Sequence, residues 1–143
     1  MAGVLIIGYG NTLRGDDALG PLALERLRTQ LGDAEFLSCH QLTPELAERL
    51  AACDLALFVD ATSSGEPGTV EVQLLSPETS EADSLTHHVG PAVLLDLART
   101  LYGRAPLAML ITGAGARFES TEGLSQEGQQ ALDEICRLIP MLV

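Results

Sequence analysis

Lysine is absent from this 143-residue chain, whose eight basic side chains are all arginines. P-loop, Schiff-base and protein-kinase chemistry each need a lysine amine and are therefore excluded. Basic charge of any kind is scarce: eight arginines face 20 acidic side chains, for a net charge of −12 at pH 7. A non-specific grip on phosphate backbones or anionic lipid is incompatible with that balance. Cysteine is sparse and odd in number (Cys39, Cys53, Cys136) with no C-x-x-C pair, which suits a reducing compartment and neither a disulfide framework nor a zinc knuckle. No apolar run reaches the roughly 20 residues needed to span a bilayer. The first residues carry no basic n-region and read as a buried strand, so the mature protein is expected to begin here, in the cytoplasm.

What is present is enough for one core. Hydrophobic residues make up 46% of the chain, and a domain of this size buries roughly 68–70% of its unfolded surface without staples. Short apolar runs alternate with stretches of helical period, the pattern of a single α/β domain with a mainly parallel sheet between helices. The runs predict strands over 4–8, 35–39, 55–60 and 107–112, and a half-exposed, antiparallel edge strand around Val70 and Val72. Helices are predicted from Pro21 to Leu31, from Pro44 to Ala52 with Thr43 as cap, from Pro91 to Tyr102 and from Ser125 to Ile139. The segment from Ser63 to Gly68 reads as a turn, and the acidic stretch from Ser76 to Ser84 as a loop.

In open α/β sheets the ligand crevice lies beyond the carboxyl ends of the strands. Polar residues follow the strands in three places: Asn11 to Asp17 after the first, Asp60 at the end of the third, and Thr86-His87-His88 before the third helix. Two carboxylates and one imidazole converging there would make an O,O,N donor set with open positions, suited to nickel or zinc. Asp16 and Asp17 also read as cap or turn residues. Asp60 is harder to explain structurally, because five apolar residues run straight into it and a buried acid must be solvated, paired or ligated.

Other chemistries fail on particular residues. A dinucleotide fingerprint would need glycine at Leu13. Cys39 and His40 would lie on opposite faces of a strand and make a poor thiol dyad. A phosphoacceptor receiver site would need the missing lysine.

The ordered set Gly8-Tyr9-Gly10-Asn11-x-Leu13-x-x-Asp16-Asp17-x-x-Gly20, Phe58-Val59-Asp60-Ala61, Gly65-x-Pro67-Gly68 and Thr86-His87-x-x-Gly90 resembles the motifs of the [NiFe]-hydrogenase maturation endopeptidases, over nearly the whole chain. The resemblance implies a five-stranded sheet with helices on both faces. It also implies a monomeric cytoplasmic endopeptidase that trims the C-terminal extension of the hydrogenase large-subunit precursor after nickel insertion. Carried over by motif position, the metal-contacting residues are Asp17, Asp60 and His87, and the catalytic acids are Asp17, Asp60 and Asp16, with Asp16 or Asp17 handling the proton. The metal would be nickel delivered by the precursor, with zinc or another divalent ion as the alternative. Two departures stand out: Ala18 replaces a glycine common in the family, and His88 offers a second imidazole beside His87. Two other readings remain, a non-catalytic metal-sensing domain and a different metallohydrolase. The acidic loop from Glu78 to Asp83 and the turn from Gly65 to Gly68 are expected to form the partner surface.

Overall fold

The structure, a computed structural model, describes residues 3–77 and 89–143. Its elements in chain order are β1 (Val4–Tyr9), a 3-10 turn (Gly15–Ala18), α1 (Leu19–Leu27), β2 (Glu35–Cys39), α2 (Leu46–Ala51), β3 (Leu55–Thr62), β4 (Val70–Leu75), α3 (Pro91–Tyr102), β5 (Leu107–Ala114) and α4 (Gln126–Leu142). The five strands form one sheet in the order β2-β1-β3-β5-β4, parallel except for β4, which runs antiparallel to β5 at the edge. This is the α/β architecture that the periodicity and the family resemblance predict.

Strand alternation divides the apolar residues into two cores. Val4, Ile6, Leu57, Val59 and Ile111 face α1 and α4 and meet Leu24, Leu27, Ala131 and Ile135. Leu5, Ile7, Ala56, Phe58 and Ala108 face α2 and α3 and meet Leu50, Leu94, Leu95 and Ala98. Because β1, β3 and β5 are covered on both faces, nearly every residue in them is apolar, which is why they read as continuous runs.

α1 begins two residues earlier than its sequence suggests. The 3-10 turn feeds straight into it, so Pro21 is its third residue, still within the turn whose N–H groups have no helical partner. Two glycines let it sit close to the sheet: a Cβ on Gly8 would stand 2.4 Å from the Gly20 carbonyl oxygen, and one on Gly20 would stand 2.5 Å from that of Val59. α2 is shorter than predicted, and the Thr43 hydroxyl bonds to the Glu45 carboxylate instead of capping the helix. α3 has the predicted bounds and closes on Gly103, in the left-handed conformation at φ 82°. α4 runs on past Pro140, because a proline near a helix end removes only one backbone bond. β3 and β5 each extend two residues further than predicted, pairing Ala61 with Gly113 and Thr62 with Ala114.

The chain leaves β1 toward β2 on one side and later places β3 on the other. The strand order therefore reverses between β1 and β3, and such a reversal opens a crevice at the carboxyl ends of the two strands. Asp16 and Asp17 follow β1, and Asp60 sits two residues before the end of β3.

Candidate functional site

The adjacent acids Asp16 and Asp17 lie in the same 3-10 turn and have different surroundings. Asp16 is completely buried. Its Oδ2 accepts hydrogen bonds from the amides of Ala116 (2.7 Å) and Arg117 (3.0 Å) and from the Ser125 hydroxyl (2.5 Å), and its Oδ1 accepts from the Ser125 amide (2.8 Å). Burial alone would raise its pKa, but these bonds outweigh it and hold the carboxyl below the usual carboxylate range. Room for the carboxylate depends on two glycines, since a Cβ on Gly128 would stand 2.2 Å from Asp16 Oδ1 and one on Gly115 would stand 2.5 Å from its Cβ. Ser125 in turn accepts the Gly128 amide at 3.0 Å as N-cap of α4. Asp16 thus ties the loop after β1 to the loop after β5 and to the start of the last helix.

This geometry gives Asp16 the surroundings of a structural carboxylate. A carboxylate without exposed surface and with four donors in place has no free oxygen for a proton or a substrate. The backbone groups it holds lie about a hundred positions along the chain, so its role as a cap is not the local one its sequence neighbourhood suggests.

Asp17 is half-buried. It fixes the neighbouring loop by accepting the Asn11 amide on Oδ2 at 2.7 Å. It also lines an open cavity of about 350 Å³ with Arg14, Ala61, Ser63 and Phe118. Ala61 belongs to β3 and immediately follows Asp60, so the cavity spans the reversal point between β1 and β3.

Asp60 is held by its neighbours in the sheet. Its Oδ1 accepts the Ala61 amide at 2.8 Å, and its carboxylate accepts the Tyr9 hydroxyl from the end of β1. Burial pushes its pKa up to about 6. The Asp17 charge adds to that rise, against the two hydrogen bonds that stabilise the anion. Tyr9, half-buried and facing this anion, is driven well above an ordinary phenol. Sequence reasoning passed over Tyr9, although its place one residue before Gly10-Asn11, next to the strand carrying Asp60, was a signal.

Asp17 lies after β1 and Asp60 near the end of β3, on the two strands between which the order reverses, and the Asp17 charge contributes to the rise at Asp60. His87, the third expected ligand, and His88 lie outside the described residues, as does the acidic loop from Glu78 to Asp83. Among the described residues no group of three His, Cys, Asp or Glu side chains is placed to hold a metal ion. The donor chemistry still fits a divalent cation in part: two carboxylates, one of them carrying an anion at an energetic cost, are what a cation would relieve.

Two larger hollows flank α1, of about 460 and 560 Å³, and the first is lined by Gly10, Asn11, Cys39 and His40 among others. They adjoin no paired acids, so chemistry and not volume locates the site. Cys39, Cys53 and Cys136 are free thiols, and burial raises the pKa of each. Among the described residues no helix is long and apolar enough to cross a membrane.

No protein-family model matches the chain, and no curated protein does. Solved structures do match. The chain is similar to the [NiFe] hydrogenase maturation protease HycI from Thermococcus kodakarensis KOD1, at 26% identity over 99% of this chain and 92% of that one, with a TM-score of 0.77. It is similar in fold to the hydrogenase maturating endopeptidase HybD from E. coli, at 23% identity over 98% and 91% of the two chains, with a TM-score of 0.77. An uncharacterized protein from Wolinella succinogenes also matches over the full length of both chains, at 23% identity and a TM-score of 0.63. The structural neighbours over nearly the whole chain are thus [NiFe]-hydrogenase maturation proteases, the family that the motifs resemble.

Proposed function

We propose that this protein is a cytoplasmic endopeptidase that removes the C-terminal extension of a [NiFe]-hydrogenase large-subunit precursor once nickel has been inserted. The observation that carries the reading is the pairing of Asp17 and Asp60 at the reversal point of the sheet, with Asp60 pushed up to about 6 by burial and by its neighbour. The Asp60 anion is unfavourable alone and would be relieved beside a cation that arrives with the substrate. The likeness to maturation proteases in structure supports the same reading.

Nickel enters as part of the substrate, and Asp17, Asp60 and His87 are the side chains that would meet it. When bound it would polarise the scissile carbonyl or a water molecule. The chain's own residues supply the frame. Tyr9 and the Ala61 amide fix the Asp60 carboxylate, the Asn11 amide fixes Asp17, and the buried Asp16 holds the surrounding loops in place. Cleavage adds one water across the peptide bond, with the hydroxyl going to the new carboxyl end and a proton to the departing amine. Asp17 is the carboxylate facing the cavity where that proton transfer takes place.

The test is incubation of the purified protein with the candidate precursor, with and without nickel, followed by mass spectrometry. The expected result is a shortened precursor only in the nickel-loaded sample, and loss of that product with Asp17→Asn or Asp60→Asn. A precursor that binds nickel and the protein but is never shortened would overturn the reading in favour of a metal-sensing domain.

A further inference from the structure

Five of the eight arginines are matched to carboxylates: Arg26 to Asp133 at 2.7 Å, Arg49 to Glu35 at 3.0 Å, Arg104 to Asp54 at 2.9 Å, Arg137 to Glu134 at 2.7 Å, and Arg99 to Asp96. Arg28 stands over the Phe36 ring, 5.8 Å from its centroid. That leaves Arg14 and Arg117, which make no ion pair among the described residues. In a chain where acids outnumber arginines 20 to eight, arginines with no acid partner among the described residues are a departure, and Arg14 and Arg117 both bond to carbonyls of one loop.

Both are tethered to the loop after β5. Arg14 Nε donates to the Phe118 carbonyl at 3.3 Å, and Arg117 Nη2 donates to the Gly123 carbonyl at 3.4 Å. That loop is itself fixed by the Ala116 and Arg117 amides on the buried Asp16. Arg14, an exposed residue, lines the Asp17 cavity, where Nε makes its tether and the paired Nη donors have no hydrogen-bond partner among the described residues. No ion pair joins it to Asp17 among the described residues, although both border the same space. A guanidinium held by one backbone bond, with its fork open, is preorganised for a planar anion. Asp17 and Asp60 nearby repel a multiply charged anion such as phosphate more strongly than a singly charged one. Ser63 is a further polar residue of the cavity lining.

We propose that Arg14, backed by Arg117, anchors a carboxylate of the polypeptide substrate in this cavity and so sets which peptide bond lies beside Asp17. The proposal rests on the peptidase reading, which makes a polypeptide the occupant. The carboxylate is either a chain terminus or an acidic side chain.

Two measurements test it. In the first, three short peptides are titrated into the protein while the amide resonances of Ser63 and Phe118 are followed: acetyl-tri-alanine with a free carboxyl end, the same peptide as its carboxamide, and acetyl-Ala-Asp-Ala carboxamide. At least one carboxylate peptide is expected to bind about tenfold more tightly than the uncharged one, with the advantage shrinking as salt rises from about 0.05 to about 0.5 M. Arg14→Gln is expected to abolish the advantage, Arg14→Lys to keep part of it, and Arg117→Gln to reduce it. The better carboxylate peptide identifies the source of the anion. Equal binding of charged and uncharged peptides, or an advantage that survives Arg14→Gln, overturns the proposal.

In the second, Arg14→Gln is assayed on the nickel-loaded precursor, where KM is expected to rise about tenfold with kcat within about twofold of wild type. An unchanged KM in an active enzyme overturns the anchor and leaves the peptidase reading standing. If the wild-type protein never cleaves the precursor, the peptidase reading fails, and the peptide titration still decides the anchor.

Discussion

The knot of loops around Asp16 and the open rim at Asp17 and Asp60 meet at two consecutive residues, Asp16 and Asp17, and they treat a carboxylate in opposite ways. In the knot four donors converge on a fully buried anion and hold its pKa down. At the rim Asp60 has one amide and one phenol, and burial leaves its charge undercompensated, with a pKa of about 6. A buried carboxylate is a structural device where donors saturate it and a reactive one where they do not. The same two facts give the two carboxylates opposite effects on stability as pH changes.

Asp16→Asn should have the largest effect on the comparison. The amide removes the negative charge and turns an NH₂ toward groups that are already donors, so chemical denaturation should show a loss of about 3 kcal/mol. A variant as stable as wild type would mean that the knot does not hold the loops. Ser125→Ala removes both the α4 cap and one charge-assisted bond to Asp16, and about 2 kcal/mol should be lost.

Asp60→Asn should move stability the other way. Folding raises this carboxyl from 3.8 to about 6, so the neutral form is favoured in the folded protein and stability falls as pH rises through that window. A shift of about two units corresponds to at most about 3 kcal/mol, and solvent at the strand end leaves about 1–2 kcal/mol. The variant should therefore be more stable than wild type at pH 7, with the gain vanishing near pH 4, while cleavage of the precursor is lost. Melting curves of both proteins across that range check the sign, and a gain that does not depend on pH would contradict it. Asp16 works in reverse: its pKa is lowered, so its contribution is complete above the ordinary carboxyl value and lost as pH falls below it.

Asp17→Asn should have the smallest effect on stability, within about 0.5 kcal/mol, because the Asn11 amide keeps an acceptor. Loss of cleavage with unchanged melting would sharpen the division between the knot and the rim. A large loss of stability would place Asp17 in the knot.

The strands were legible because a doubly covered parallel sheet requires continuous apolar runs, and β1, β3 and β5 have them. The ends of the helices were less legible. Pro21 looks like the first residue of α1 only if the 3-10 turn before it is unknown, and Thr43 looks like a cap only if its bond to Glu45 is unknown. The apolar run of β3 draws attention to Asp60, whereas only motif position in the family resemblance favours Asp17 over Asp16. The partners of Asp16 could not be found this way, since nothing local links it to Ala116, Arg117 or Ser125.

By itself, then, the sequence determined the class of fold, the two-sided sheet and the strand ends on which acids would sit, because hydrophobic period and strand burial are local properties written residue by residue. Tertiary structure alone decided which of two adjacent acids is buried and which faces a cavity, and which arginines meet a carboxylate among the described residues. Hydrogen-bond saturation and desolvation depend on groups brought together from opposite ends of the chain, and those distances exist only after folding.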